Sequence, residues 1–189
     1  MGKLLLRLHL TLPTRRWYNT DNLCGIAQNY SEVAQVIKRD QYLQKLVSFM
    51  WNGQVKVITG LRRCGKSYLL KTIFANYLRQ ERGVKTTDIL ILNLDEPAFA
   101  RYWNPIELSN YVKHWAAASQ SQRYLFIDEI QYAEPVANPY LPDGRKITFY
   151  DALNSFMHID NLDVYVTGSN SKMLSSDVLT EFRGRGDEI

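Results

Sequence analysis

The sequence predicts an α/β domain in which a mostly parallel sheet is covered by helices on both faces. Short runs of aliphatic and β-branched residues alternate along the chain with longer segments whose apolar residues recur at helical spacing. This alternation is typical of parallel sheets, because parallel strands are joined by crossover helices. No internal repeat or low-complexity segment interrupts it.

The first half of the chain supplies two helices and two strands. Asp40 is a suitable N-cap for the first helix, and Gly83 is a suitable stop for the second. In chain order the predicted elements are a helix over residues 41–51, a strand over 55–59, a helix over 66–82 and a strand over 89–94.

The second half continues the alternation. Its predicted elements are a helix over residues 105–118, a strand over 124–127, a helix over 149–157 and a strand over 163–167. A long loop is expected over residues 132–144, which hold three of the six prolines. Polar motifs follow three of the strands, and ligands of such sheets bind beyond the carboxyl ends of the strands.

Composition restricts the class of protein. The 189 residues suit one domain, and 46% hydrophobic with 22% charged residues excludes collagen-like, disulfide-rich and disordered chains. The longest apolar runs are far shorter than the roughly 18 residues of a membrane helix, so no membrane association is expected. Two cysteines favour a reducing compartment, and we expect a cytoplasmic protein.

Charge is distributed unevenly along the chain. The formal net charge is +4, which divides into +8 (15 basic minus 7 acidic residues) over residues 1–100 and −4 (8 minus 12) over residues 101–189. Residues 1–35 are expected to be a basic, weakly structured leader, because Arg7 and His9 interrupt the apolar stretch that a signal peptide would need. Residues 36–189 are expected to form the folded core.

A phosphate-binding motif lies between the predicted strand over residues 55–59 and the predicted helix that begins at residue 66. It reads Gly60-Leu61-Arg62-Arg63-Cys64-Gly65-Lys66-Ser67, followed by Tyr68 in the first helical turn. The glycines let successive backbone N–H groups point at phosphate oxygens, Lys66 can neutralise the β- and γ-phosphates, and Ser67 can ligate Mg²⁺. The alternative is a glycine-rich turn that merely caps a helix. The full match and its context favour a nucleotide site.

The variable positions of this loop carry less information. Arg62 and Arg63 are expected to point towards solvent or a partner more often than towards the nucleotide. Cys64 lies beside a helix N-terminus, which can lower a thiol pKa and make it reactive. A small residue that fits a tight loop is the favoured interpretation of Cys64.

Two acids follow the predicted strand at 124–127. Asp128 suits the carboxylate that supports Mg²⁺, and Glu129 suits the group that orients and deprotonates the attacking water. One further strand separates this pair from the phosphate-binding strand. That spacing and the adjacent glutamate are typical of P-loop NTPases that hydrolyse their nucleotide, whereas small-molecule P-loop kinases usually lack the glutamate.

Three more polar residues are candidates for contact with the γ-phosphate. Asn170 follows the strand at 163–167 and can hold the attacking water, although a residue of Ser169–Ser171 can instead cap a short helix. Arg183 and Arg185 lie in a glycine-spaced segment, where an arginine can stabilise transition-state charge. A solvated basic turn is an equal alternative for each arginine.

Together these motifs resemble those of bacterial and archaeal AAA+-superfamily ATPases of unknown function. The resemblance rests on Arg39-Asp40-x-Tyr42-Leu43, the segments 58–67, 128–131 and 166–171, and Arg183-Gly184-Arg185. It implies a three-layer P-loop NTPase core with strand order 5-1-4-3-2, ATP as ligand, Mg²⁺ as cofactor, a sensor at Asn170 and an arginine finger at Arg183 or Arg185. It also implies a fifth strand that would begin at about Ile189, so we expect the core to be truncated there and to continue in relatives into a further C-terminal domain.

The leading functional prediction is Mg²⁺-dependent ATP hydrolysis coupled to a conformational change. The alternative is a nucleotide-gated module that binds protein or DNA with negligible turnover. A small-molecule phosphotransferase is the weakest prediction, since it also needs an acceptor pocket. The sequence leaves the partner and the oligomeric state open.

Overall fold

The computed structural model describes residues 6–10, 40–140 and 144–168, and side chains are described in the latter two ranges. Five parallel strands form the main sheet, and two short antiparallel strands form a separate ribbon. The strands are β1 (Leu6–Leu10), β2 (Lys56–Gly60), β3 (Ile89–Asn93), β4 (Arg123–Asp128), β5 (Val136–Ala137), β6 (Lys146–Ile147) and β7 (Leu162–Gly168).

The helices alternate with the strands of the main sheet, as the sequence predicts. They are α1 (Asp40–Ser48), α2 (Lys66–Tyr68), α3 (Ala75–Gln80), α4 (Pro105–Ala117) and α5 (Phe149–Phe156). A π-helical segment, Leu69–Phe74, joins α2 and α3 into one continuous helix, and 3₁₀ turns lie at Thr86–Asp88, Pro97–Trp103 and Ile130–Tyr132. No helix in the described ranges is both long and apolar enough to cross a bilayer.

The spatial order of the strands is β1-β2-β7-β4-β3. The α/β class with a mostly parallel sheet is therefore confirmed, and β2, β7, β4 and β3 follow the order 1-4-3-2 that the resemblance implies. The place on the far side of β2, which the resemblance gives to a fifth strand, is occupied by β1. Leu6–Leu10 pairs in parallel with Lys56–Gly60.

Two segments differ from the sequence-based expectations. Leu6–Leu10 was expected within a weakly structured leader, but its apolar and polar residues alternate strictly, which is the two-residue period of a strand. The expected loop at 132–144 contains β5, which pairs with β6 just after that loop. Asn170, Arg183 and Arg185 lie outside the described residues.

The core is divided by the sheet into two apolar clusters because successive strand residues face opposite sides. On β4, Leu125 and Ile127 belong to the cluster that includes residues of α4 and α5, whereas Phe126 belongs to the cluster that includes residues of α1 and the helix after Gly65. Phe126 packs there against Phe74 and Tyr165, with ring centroids 5.6 and 5.5 Å away. The strands are thus covered on both faces, and their ends are left to carry polar groups.

A buried ion pair ties the amino ends of β2 and β7 together. Lys56 Nζ contacts Asp163 Oδ1, and the two side chains are 0% and 3% exposed. Asp163 Oδ2 accepts hydrogen bonds from the Tyr165 hydroxyl at 2.8 Å and from the Trp51 backbone N–H at 3.1 Å. Burial lowers the pKa of Lys56 more than Asp163 raises it. This network lies at the opposite end of the sheet from the motifs of the sequence analysis.

Candidate active site

The phosphate-binding motif forms the connection between β2 and the following helix. Gly60 has φ 154° and Gly65 has φ 87°, conformations that glycine adopts without steric cost. Lys66 begins α2 and is only 3% exposed. Its ammonium group donates hydrogen bonds to the carbonyl oxygens of Gly60 at 3.1 Å and Leu61 at 3.0 Å. The loop therefore holds the lysine against its own inner surface.

Asp128 lies at the carboxyl end of β4 and is 2% exposed. The Ser67 hydroxyl donates a hydrogen bond to Asp128 Oδ1 at 2.9 Å. The Thr167 hydroxyl, from neighbouring β7, donates to the same oxygen. Residues of two motifs that lie 61 positions apart in the sequence thus meet at one carboxylate.

Three residues at this carboxylate were not singled out by the sequence analysis. Lys71 Nζ forms an ion pair with Asp128 Oδ2 at 2.7 Å and also donates to Asn93 Oδ1 at the end of β3. The other residue is Thr167, whose hydroxyl donates to Asp128 Oδ1. Lys71 follows Ser67 by four residues, which is about one helical turn, so the two side chains lie on the same face of the helix. This spacing was the signal from which the sequence could have indicated Lys71. Asn93 is the last residue of β3 and Thr167 the next-to-last residue of β7, and these strands lie on either side of β4. Their place beside Asp128 can be known only once the strand order is known.

Glu129 has an unusual backbone conformation directly after Asp128. Its φ of 56° and ψ of 54° lie in the left-handed region, which costs a non-glycine residue on the order of 1–3 kcal/mol. Its N–H donates to the Thr167 hydroxyl at 3.1 Å, and its carboxylate accepts a hydrogen bond from the Gln131 side-chain amide. The strained turn and these two contacts fix the direction in which the carboxylate leaves the strand.

A cavity of about 690 Å³ lies beyond the carboxyl ends of the strands, and Lys66, Ser67 and Glu129 are among the residues that line it. Leu61, in the same loop, is 64% exposed. Cys64 is buried in the core, which favours its interpretation as a small residue that fits the loop over that of a reactive thiol. Tyr68 is 46% exposed and faces the cavity. The lining residues are Arg62, Arg63, Gly65, Lys66, Ser67, Tyr68, Asp95, Glu129, Gln131 and Tyr132.

The oxygen atoms of Ser67 and Asp128 suit a hard cation. Within residues 40–140 and 144–168, no group of three or more His, Cys, Asp or Glu side chains is arranged to hold a metal ion. A hydroxyl and one carboxylate are the small protein contribution that Mg²⁺ uses when phosphates and water supply its other ligands. The donor set therefore fits a metal ion that binds together with a phosphorylated ligand.

The fold and the site define a P-loop NTPase-like protein. A parallel sheet carries a Gly-x-x-x-x-Gly-Lys-Ser loop at the end of β2, and an acidic pair lies at the end of β4, two strands away in the sheet. A lysine, a serine and a carboxylate then converge at the carboxyl edge, where doubly wound sheets bind their ligands.

Comparison with known proteins gives the family. The family model described as "AAA domain" matches residues 52–189, and the chain belongs to that family, whose members are nucleotide-binding, ATPase-like domains. An uncharacterised protein of Haemophilus influenzae is 33% identical over 154 residues, which cover 82% of this chain and 35% of that protein. An uncharacterised protein of Methanocaldococcus jannaschii is 25% identical over 152 residues, covering 80% of this chain and 28% of that protein. The chain thus spans about a third or less of the length of these relatives.

Proposed function

We propose that the chain binds ATP with Mg²⁺ and hydrolyses it, and that hydrolysis drives or times a conformational change. The observation that carries the proposal is the meeting of Ser67 and Asp128 at 2.9 Å, on the edge of a cavity that Lys66 and Glu129 also line. These four residues are those that triphosphate hydrolysis needs: a phosphate cation, two metal ligands and a base.

Each residue has a distinct role in this proposal. The loop amides and the Lys66 ammonium bind the β- and γ-phosphates, and Ser67 with Asp128 would hold Mg²⁺. The bound metal supplies charge neutralisation at the phosphate oxygens. Glu129 accepts the proton of the attacking water. The strained backbone and the Gln131 hydrogen bond support this role, because they hold the carboxylate towards the cavity before the substrate arrives.

Further contributions are proposed for the arginines and for Asn170. Arg62 and Arg63 line the cavity as exposed side chains. Sensing of the γ-phosphate by Asn170 and a finger role for Arg183 or Arg185 remain proposals from the sequence motifs alone.

The test separates binding from turnover. Lys66→Ala should abolish tight binding of a fluorescent ATP analogue, because the loop then lacks the buried ammonium group that is proposed to bind the β- and γ-phosphates. Glu129→Gln should bind ATP as wild type does and lose about 10²–10⁴ in phosphate release, the usual contribution of a general base. Lys113→Ala and Glu134→Gln, which change exposed residues outside the cavity lining, are the matched controls. Unchanged hydrolysis in Glu129→Gln would reject the role of that residue.

The alternative function is a nucleotide-gated module that binds protein or DNA. ATP binding without phosphate release, with or without DNA, would replace the hydrolytic proposal by this one. The excess positive charge of residues 1–100 supports DNA as a partner, and binding that weakens steeply with salt is the expected signature.

The domain division is proposed in the same way. Residues 36–189 are taken as the nucleotide-binding core and residues 1–35 as a basic leader. The pairing of Leu6–Leu10 with β2 gives part of that leader a place at the edge of the core sheet.

A further inference from the structure

Lys71 is a lysine that the proposed reaction does not use. It lies in the π-helical segment Leu69–Phe74, and its side chain is 25% exposed. π-Helical turns are rare and are found frequently at functional sites. The ammonium group ends 2.7 Å from Asp128 Oδ2 and also donates to Asn93 Oδ1. The Asn93 side-chain amide donates in turn to Glu96, so the lysine is anchored between two strand ends.

One helix therefore contacts both oxygens of the Asp128 carboxylate. Ser67 donates to Oδ1 at 2.9 Å, and Lys71 pairs with Oδ2 at 2.7 Å, one turn further along. The carboxylate side chain is 3% exposed, and a buried carboxylate without a counter-charge is costly. Lys71 provides that counter-charge in the part of the chain that the structure describes.

We infer that Lys71 is a positioning residue that acts as the internal counter-cation of Asp128, so that the Ser67–Asp128 pair takes a divalent cation only together with nucleotide phosphates. This inference rests on the proposed function and adds the order of ligand binding to it. A cation that approaches Oδ1 meets a carboxylate already neutralised on Oδ2, and the protein offers it few ligands. Triphosphate supplies both the missing negative charge and the missing oxygens.

Other charged groups line the cavity that Ser67 borders, and a test must separate their effects from that of Lys71. Asp95 and Glu129 are carboxylates of the lining, and Lys66, Arg62 and Arg63 are its cations. A metal ion drawn by Asp95 or Glu129 does not depend on Asp128. Removing Asp128 as well as Lys71 therefore distinguishes the inferred site from these neighbours.

The experiment measures Mn²⁺ binding to the full nucleotide-free chain from the electron paramagnetic resonance signal of free Mn²⁺. Lys71→Gln, which removes the charge and keeps a hydrogen-bond donor, should bind Mn²⁺ at least about tenfold more tightly than wild type. Lys71→Arg should bind as wild type does. Lys113→Gln, an exposed site with the same change in net charge, should also leave the affinity unchanged. Adding Asp128→Asn to Lys71→Gln should remove the gain.

Two results with the variants overturn the inference: equal Mn²⁺ affinity in Lys71→Gln and wild type, or a gain that survives Asp128→Asn. The wild-type chain gives a measurement that needs no variant, since its nucleotide-free dissociation constant should be on the order of 1 mM or weaker, and micromolar binding also overturns the inference. Binding of a fluorescent ATP analogue to wild type is measured in parallel. Its absence refutes the proposed function, whereas ATP binding with no effect of Lys71→Gln refutes only the role of Lys71.

Discussion

Replacing Asp163 by asparagine should lower the free energy of unfolding by about 3–5 kcal/mol at pH 7, the usual cost of breaking a buried ion pair by removing one partner. The substitution leaves Lys56, whose side chain is 0% exposed, without its counter-charge. The asparagine side-chain oxygen can still accept from the Tyr165 hydroxyl and the Trp51 N–H. The loss therefore reports mainly the charge of Lys56.

The upper end of this magnitude follows from the pKa of Lys56. A lysine that loses its proton at pH 7 instead of at its usual pKa of 10.5 costs about 5 kcal/mol, because each pH unit is about 1.4 kcal/mol. Burial already lowers the pKa of Lys56, and removing Asp163 removes the interactions that raise it. A buried lysine without its counter-charge can release its proton, so the cost of its charge cannot exceed the free energy of that deprotonation.

The same argument gives a pH dependence with a definite sign. Between the lowered pKa and 10.5, Lys56 is protonated in the unfolded chain and neutral in the folded one. The unfolded state then binds more protons, so stability rises with pH, by up to about 1.4 kcal/mol per unit. The pH range over which stability rises is wider in Asp163→Asn than in wild type, because the variant lacks the carboxylate that keeps the proton on Lys56.

Urea unfolding followed by tryptophan fluorescence at pH 7 and pH 9.5 measures both quantities. Asp160→Asn, an exposed change of the same kind, should cost less than about 0.5 kcal/mol. Lys56→Met combined with Asp163→Asn should recover about 2 kcal/mol of the single-variant loss, because no charge remains buried. A loss below about 1 kcal/mol in Asp163→Asn, or the same stability at both pH values, would refute the reasoning.

Two further predictions concern hydroxyl groups of β7. The pKa of Tyr165 is raised well above 10.0, first by burial and then by Asp163, so its contribution is complete below pH 10 and is lost as the pH rises further. Tyr165→Phe should therefore lose stability above pH 10 less steeply than wild type, by about 1.4 kcal/mol per pH unit, in alkaline urea titrations. Tyr140→Phe, at an 88% exposed position, should leave the slope unchanged, and equal slopes in all three proteins contradict the assignment to Tyr165. Thr167→Val should cost about 2 kcal/mol in urea unfolding at pH 7, because Asp128 loses a donor and the Glu129 N–H loses its acceptor. Thr167→Ser keeps the hydroxyl and should cost less; an equal cost would show that the methyl group, and not the hydrogen bonds, matters.

Local patterns predicted the helices and four of the five strands of the main sheet, and they placed Lys66, Ser67, Asp128 and Glu129 at the ends of these elements. The spacing of the glycines predicts the turn after β2. The conformation of this short loop decides where Lys66 and Ser67 begin the helix, and it depends on residues of the loop itself. The acidic pair at 128–129 follows an apolar run and therefore ends a strand. Both signals lie within a few neighbouring residues, and the structure agrees with both.

Contacts between strands were not available to the same reasoning. The role of Thr167 as the bridge between Asp128 and Glu129 depends on β7 lying next to β4, and that of Asn93 depends on β3 lying on the other side. Lys71 lies on a helix that was predicted from its apolar residues alone. Its contact with Asp128 depends on how that helix lies against the sheet.

The sequence by itself determined the α/β class, the phosphate-binding loop, the acidic pair and the expectation of a nucleotide site, because each is indicated by residues that lie close together in the chain. Only the tertiary structure decided that β1 pairs with β2, that Asp163 neutralises Lys56 at one end of the sheet and that Lys71 neutralises Asp128 at the other. The physical reason is that strand order and charge pairing join residues distant in the chain. Their energies depend on burial and distance, and neither quantity exists until the sheet has formed.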